Sequence, residues 1–227
     1  MVQTGTTYNG VATGIDHLKE LGVTHVQILP FYDFSTQQYN WGYDPLNYNV
    51  PEEQYNTCGW YDYEERIREV KTMIDELHKN GIRVIMDVVY NHSNDENVFM
   101  PITSKYYIYE EDGTLANASG CGNGIDTGNP MVSRFIRDSL EYWVSEYNID
   151  GFRFDLMGIF HADAVADWGE HLNGRYPDRM IMMHGEPWNG FWGDANSDQK
   201  AFPSARPQLA DGKVGIFGGD YREGIKG

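Results

Sequence analysis

Cationic side chains are scarce in this chain: 17 Lys and Arg stand against 34 Asp and Glu, a formal charge of -17 at pH 7. That balance repels nucleic acid phosphates and anionic lipid, so neither nucleic acid nor a membrane surface is expected as a partner. Cysteine is scarcer still, and Cys58 and Cys121, with no C-x-x-C or Cys/His spacing, exclude a disulfide scaffold and are expected as unpaired thiols. No apolar run approaches the ~18 residues that would cross a bilayer, and residues 1–5 lack the basic and apolar regions of an export signal. Where the protein works is left open. His17, His25, His78, His161, His171 and His184 show no i, i+4 pairing, which leaves packing or solvation as their expected role and no metal among them.

What the chain does have is a core. Apolar residues make up 41%, including 10 Phe, 16 Tyr and 6 Trp, which argues against the disorder that strong acidity sometimes signals. Its 227 residues fall slightly short of the roughly 250 of a complete eight-unit α/β barrel, so one domain over 1–227, whole or partial, is the expectation.

Helical and strand patterns alternate along it. Thr13 can cap a short helix burying Ile15, Leu18 and Leu21, stopped by Gly22 ahead of an apolar run at 23–30. A helix over 64–80, with Ile67, Val70, Ile74 and Leu77 inward, ends at Gly81 and leads into a strand at 82–89. Asn129-Pro130 then supplies a cap and a first-turn proline for a helix carrying Val132, Phe135, Ile136, Leu140, Trp143, Val144 and Tyr147 on one stripe, before a strand at 151–157. A helix over 162–172 precedes a strand at 180–183, and 214–217 is a fifth. Wholly apolar strands separated by amphipathic helices predict α/β architecture with a parallel sheet. The stretches 31–61 and 91–128, rich in Tyr, Trp, Asn, Asp and Gly, read as barrel loops, where sites are built.

Polar residues gather at the C-terminal ends of those strands: Asp87 with Asn91 and His92, Arg153 with Asp155, and Glu186 ahead of Trp188. Arg153 and Asp155, two apart on a strand, point to one side, where the guanidinium is expected to hold the carboxylate ionised. Glu186 follows Asp155 by about one repeat of the barrel, so the two carboxyls should stand on neighbouring strands. A pair about 5 to 5.5 Å apart suits retaining glycoside hydrolysis, with Asp155 as nucleophile and Glu186 as general acid/base kept protonated by Trp188 and by Asp155 itself. Taken alone, Arg153 and Asp155 also fit a purely structural ion pair.

Four stretches carry a family resemblance. Asp87-Val88-Val89-Tyr90-Asn91-His92, Gly151-Phe152-Arg153-Phe154-Asp155 and Gly185-Glu186-Pro187-Trp188 resemble, in order, the first three signatures of glycoside hydrolase family 13, the α-amylase superfamily. Tyr39-Asn40-Trp41-Gly42-Tyr43-Asp44-Pro45 resembles the heptapeptide of its type I pullulanases. The resemblance spans nearly the whole chain and implies a (β/α)8 TIM barrel, incomplete here with about strands 2 to 6. It implies Asp155 as nucleophile, Glu186 as acid/base, and Arg153 and His92 as contacts to the sugar at the cleavage subsite. Tyr43 would stack on that sugar, Trp41 and Trp188 would extend the platform, and Asp44 would join the substrate contacts; Asp87 and Asn91 are expected in support.

The implied activity is hydrolysis of α-1,6 branch linkages in pullulan or amylopectin-type α-glucans, with an α-glucan as partner. An α-1,4 or dual activity, and an inactive or merely glucan-binding fragment, are the alternatives. The family's fourth signature, a His-Asp pair, does not occur in these residues, so the isolated chain is expected to be inactive. No cofactor is expected. Calcium stays open, because the asparagine matching Asn91 binds it in some amylases; Asp194-Ala195-Asn196-Ser197-Asp198 lacks the glycine and terminal glutamate of a calcium loop and reads as a polar turn. Gly120-Cys121-Gly122-Asn123-Gly124 reads as a loop near substrate, not a phosphate cradle. An open barrel exposes strand edges and apolar interior, so the 227-residue chain by itself is expected to aggregate or partly unfold. Circular dichroism and size-exclusion chromatography check this, and a compact cooperative monomer would contradict it.

Overall fold

The computed structural model describes residues 7–36, 41–59, 61–188 and 203–226. The first helical segment is broken into two short helices, α1 (Tyr8–Val11) and α2 (Ile15–Glu20), joined by a 3-10 turn. Thr7, not Thr13, caps it by accepting from the amide of Gly10; the Thr13 hydroxyl instead donates back to the Gly10 carbonyl. Ile15 and Leu18 are buried as expected, whereas Leu21, one residue past the helix, is 56% exposed.

Next come β1 (His25–Ile28), an antiparallel pair β2 (Tyr32–Phe34) and β3 (Pro45–Pro51), and the helix α3 (Tyr63–Lys79). α3 begins where the Asp62 carboxylate accepts the amide of Glu65 and ends at Gly81, whose φ of 74° places it in the left-handed region. Val70, Met73, Ile74 and Leu77 are its buried face; Ile67 is 38% exposed and belongs to the rim, not the inward stripe. β4 (Arg83–Val88) follows, then α4 (Pro130–Tyr147) with Asn129 as cap and Pro130 in its first turn. Its stripe is buried as the spacing predicts, with Phe135 half-covered.

β5 (Gly151–Phe154) is three residues shorter than its apolar pattern, because Leu156 turns the chain into a 3-10 helix. α5 (Ala162–Arg175), β6 (Met182–Gly185), α6 (Arg206–Asp211), β7 (Val214–Ile216) and α7 (Gly219–Lys226) complete the order. β6 starts two residues later than its pattern, since Met180 takes a positive φ of 49° and is exposed.

The five expected strands form one parallel sheet in the order β1-β4-β5-β6-β7. Val84, Met86 and Val88 on β4, and Phe152 and Phe154 on β5, are buried, on the helix-covered side. Alternation puts Gln27, Asp87, Arg153 and His184 on the other side, where His184 Nε2 lies 3.2 Å from Gln27 Oε1. β1 and β6 are three places apart in the sheet, so that contact requires the sheet to curl into a barrel wall. This is a partial (β/α) barrel, open between β1 and β7 among the described residues.

The β2–β3 hairpin, which lies in a stretch whose composition reads as loop, packs Tyr48 against Tyr90 and Phe99 with near-parallel rings. Buried Glu52 closes it by accepting the amides of Phe34 and Gln54 at 3.0 and 2.8 Å. At the opposite, N-terminal face of the sheet, Asp150 accepts from the Val84 amide at 2.9 Å and meets His78 Nε2 at 2.6 Å and Arg179 at 3.5 Å. Asp150→Ala leaves a buried amide unpaired and is expected to cost about 2 kcal/mol, read as a lowered urea midpoint at unchanged m-value.

Candidate active site

The turn after each central strand delivers one acidic or amide group to a common place. β4 carries Asp87 as its last residue but one and continues to Asn91 and His92; β5 ends one residue before Asp155; β6 ends one residue before Glu186. Parallel pairing sets Asp87 beside Arg153 and Arg153 beside His184 in register. Glu186, two residues beyond His184, falls on the same side by strand alternation.

Arg153 sits at the centre. Its Nη1 donates to both oxygens of Asp87 at 2.8 and 3.0 Å and to Asp155 Oδ1 at 3.0 Å, while Nη2 is ion-paired with Glu186 Oε1. The guanidinium lies over the ring of Phe217, 5.8 Å from its centroid. One permanent cation thus serves three carboxylates from three adjacent strands. The guanidinium is 8% exposed, Asp87 1%, and Asp155 and Glu186 15% and 16%, so the last two keep a solvent-accessible edge.

This sharing changes the expected titration. Asp155 was expected to be held low by Arg153; instead burial pushes it up, with Arg153 and the Asn91 amide opposing and Glu186 adding to the rise. A guanidinium divided among three anions does not offset the desolvation of each. Asp87, more deeply buried, is pushed up to about 6 despite Arg153 and Tyr43. Burial and the positive charge of Arg153 lower His184, and burial lowers His92.

Tyr43, Asn91, His92 and Asp44 join this network. Tyr43 donates from its hydroxyl to Asp87 Oδ2 at 2.8 Å. Asn91 donates to both the carbonyl and Oδ2 of Asp155 at 3.0 Å, and its own carbonyl oxygen receives His92 Nδ1 at 2.5 Å. With Nδ1 donating, neutral His92 presents Nε2 as a bare acceptor; that atom is buried without a hydrogen bond and lies 4.0 Å from Asp44 Oδ1. Trp188 meets Phe217 at 6.2 Å between centroids. Trp41 is at the surface, 57% exposed, with a left-handed φ of 61°. Tyr39, Asn40 and the acidic turn at 194–198 lie outside the described residues.

Sequence reasoning overlooked three participants. Leu156, held at φ 43°, donates its amide to Glu186 Oε2 at 3.0 Å and so joins the two carboxyl-bearing turns through the backbone. His184 was read as ordinary packing, although its position two before Glu186 was a signal for the same face. Phe217 closed the last apolar strand pattern without any sign that it would underlie an arginine.

Residues 3–111 match the family model for the α-amylase catalytic domain. The chain is 38% identical over 231 residues to a pullulanase of Bacillus subtilis strain 168, covering 97% of this chain and 31% of that protein. The chain belongs to the α-amylase family. Its fold superposes on the pullulanase of Bacillus acidopullulyticus with a TM-score of 0.89 at 38% identity, covering 100% of this chain and 30% of that one. The Paenibacillus barengoltzii pullulanase, solved in complex with maltohexaose and alpha-cyclodextrin, superposes with a TM-score of 0.87 at 35% identity, over 96% and 36%. The chain thus spans about a third of the length of these relatives.

Asp87 predicts a pH effect on stability. Its folded value of about 6 exceeds the ordinary 3.8, so between these pH values the native state holds a proton that the unfolded chain has lost. Stability therefore falls as pH rises through that window, by up to about 3 kcal/mol from this group. Urea unfolding of the natural protein that contains this chain, and of its Asp87→Asn variant, across pH 3.5–7 checks it: the drop should be flattened in the variant.

Proposed function

We propose that the protein containing this chain is a retaining glycosidase that cleaves α-1,6 branch linkages in pullulan- or amylopectin-type α-glucans. The observation that carries the reading is the placement of Asp155 and Glu186 on adjoining strand ends around one arginine. Two carboxyl groups side by side can meet the two faces of a single glycosidic bond.

In the first step Asp155 attacks the anomeric carbon as the bond from that carbon to the leaving oxygen breaks, and Glu186 gives its proton to that oxygen. In the second, Glu186 takes a proton from water, whose oxygen attacks the same carbon and releases Asp155. Positive charge develops on the sugar between these states, and Asp87, Asp155, Glu186 and Asp44 surround it with more negative charge than Arg153 neutralises. Asn91 and Arg153 orient Asp155; the Leu156 amide and Arg153 orient Glu186. The bare Nε2 of His92 suits a hydroxyl of the bound sugar, and the half-buried ring of Tyr43 suits its apolar face. The linkage rests on the resemblance to pullulanases at 38% identity and on the heptapeptide containing Trp41, Gly42, Tyr43 and Asp44. That a relative has been solved with maltohexaose supports an α-glucan as ligand.

The test is hydrolysis of pullulan by the natural protein and by Asp155→Asn and Glu186→Gln. Each substitution should lower kcat by several powers of ten, at about 1.4 kcal/mol per tenfold, and the wild-type product should be maltotriose. Panose or isopanose would replace the α-1,6 assignment with α-1,4 cleavage, and full activity in either variant would remove the proposed roles.

A further inference from the structure

His184 takes no part in the proton transfers above, yet it stands beside the residue that organises them. Parallel pairing sets it in register with Arg153, and strand alternation turns both side chains to the inner side of the sheet. Both also pack on Phe217, whose ring centroid lies 5.8 Å from the guanidinium carbon and 5.5 Å from the centroid of the imidazole. Two side chains level with each other on adjoining strands and sharing one aromatic ring are close neighbours.

Their hydrogen bonding is complementary. The terminal nitrogens of Arg153 are taken up by Asp87, Asp155 and Glu186, while its Nε–H is buried and makes no hydrogen bond among the described residues. A buried donor on a permanent cation is costly to leave unpaired. On His184, Nε2 meets Gln27 Oε1 at 3.2 Å, and because an amide oxygen only accepts, Nε2 carries the proton. Nδ1 of the neutral ring is then an acceptor, and it too is buried with no partner among the described residues. Burial, followed by the charge of Arg153, pushes the titration of the imidazole downward and keeps that acceptor available at neutral pH. The charged groups that alternation brings to this side are Asp87, Arg153, Asp155 and Glu186, with His25 and Arg83 lower on β1 and β4. Arg153 is therefore the cation level with His184, and a proton on Nδ1 would set a second cation against it while removing the acceptor.

We propose that His184 is a positioning residue for the reaction: Gln27 fixes its tautomer, and its Nδ1 accepts the Nε–H of Arg153 through one bridging water, which fixes the guanidinium against Asp155 and Glu186. This rests on the glycosidase reading above. Held in this way, Arg153 keeps its downward pull on the titration of Asp155; loosened, it lets that carboxyl titrate higher, and the nucleophile is ionised over a narrower range of pH.

The test compares three variants of the natural protein on pullulan. His184→Asn leaves an amide oxygen where Nδ1 stood. His184→Gln leaves an amide nitrogen for Gln27 where Nε2 stood but no acceptor for Arg153, and His184→Leu removes both. In the Gln and Leu variants kcat should fall about tenfold to a hundredfold with KM within about twofold, whereas His184→Asn should keep kcat to within about threefold. The acid limb of kcat/KM should move to higher pH in the Gln and Leu variants and stay near its original place in His184→Asn. Thermal unfolding shows which variants retain the fold, and where His184→Leu does not, the Asn and Gln pair decides alone. Packing alone would let Gln serve as well as Asn and leave the acid limb unmoved in every variant. Either result would overturn the positioning role and leave the glycosidase reading intact. No hydrolysis of pullulan by the unsubstituted protein would overturn the glycosidase reading and this role with it.

Discussion

Everything at the strand ends depends on a single guanidinium having more anions around it than it can neutralise. Arg153 bonds Asp87 and Asp155 and pairs with Glu186, and those three residues come from three consecutive parallel strands. Arginine suits this position because its planar fork addresses several carboxylates at once and never loses its charge. Lysine, with a compact ammonium, could not span the same set. Burying these carboxylates is costly to the fold, as the elevated titration of Asp87 and Asp155 shows, and the excess of negative charge around Arg153 suits a site where positive charge develops.

The scaffold bears that cost through the aromatic layer beneath. Trp143 is fully buried and donates its indole N–H to the Tyr48 carbonyl at 2.9 Å, and its ring meets Phe31 edge-on. Tyr48 in turn stacks on Tyr90 and Phe99 and donates its hydroxyl to the His92 carbonyl at 2.8 Å. The hairpin that supplies Tyr48 follows directly from β1, so the loop bearing Tyr43 and Asp44 and the turn bearing His92 are braced by one packed cluster. Such bracing gives the loops the rigidity that a preorganised site requires.

Much of this was legible beforehand. The helix starting at Asn129-Pro130 and ending near Tyr147 follows from its cap and its stripe, and the first two apolar strands of the sheet follow from their punctuation by Gly22 and Gly81. Period two along β5 put Arg153 and Asp155 on one side, and they bond there. What escaped was determined by tertiary contacts. β2 has only three residues, its pairing with β3 is interrupted by register shifts, and β3 begins at Pro45 and ends at Pro51, so no clean alternation announces them. The turn at Leu156 cut short an apolar run that otherwise reads as continuous strand. Likewise, the rise in Asp155 follows first from its burial and then from the charge of Glu186 on the next strand, neither of which pairwise spacing along one strand contains.

The turn at Leu156 has a wider meaning. A leucine in the left-handed region is held against its own preference, at roughly 1–3 kcal/mol, and the backbone N–H thereby exposed grips Glu186 Oε2. Glu186 is consequently held by main chain, an element every amino acid possesses, as well as by the Arg153 side chain. An exchange of the residue at that corner would thus leave the grip on Glu186 in place, so long as the corner itself is kept.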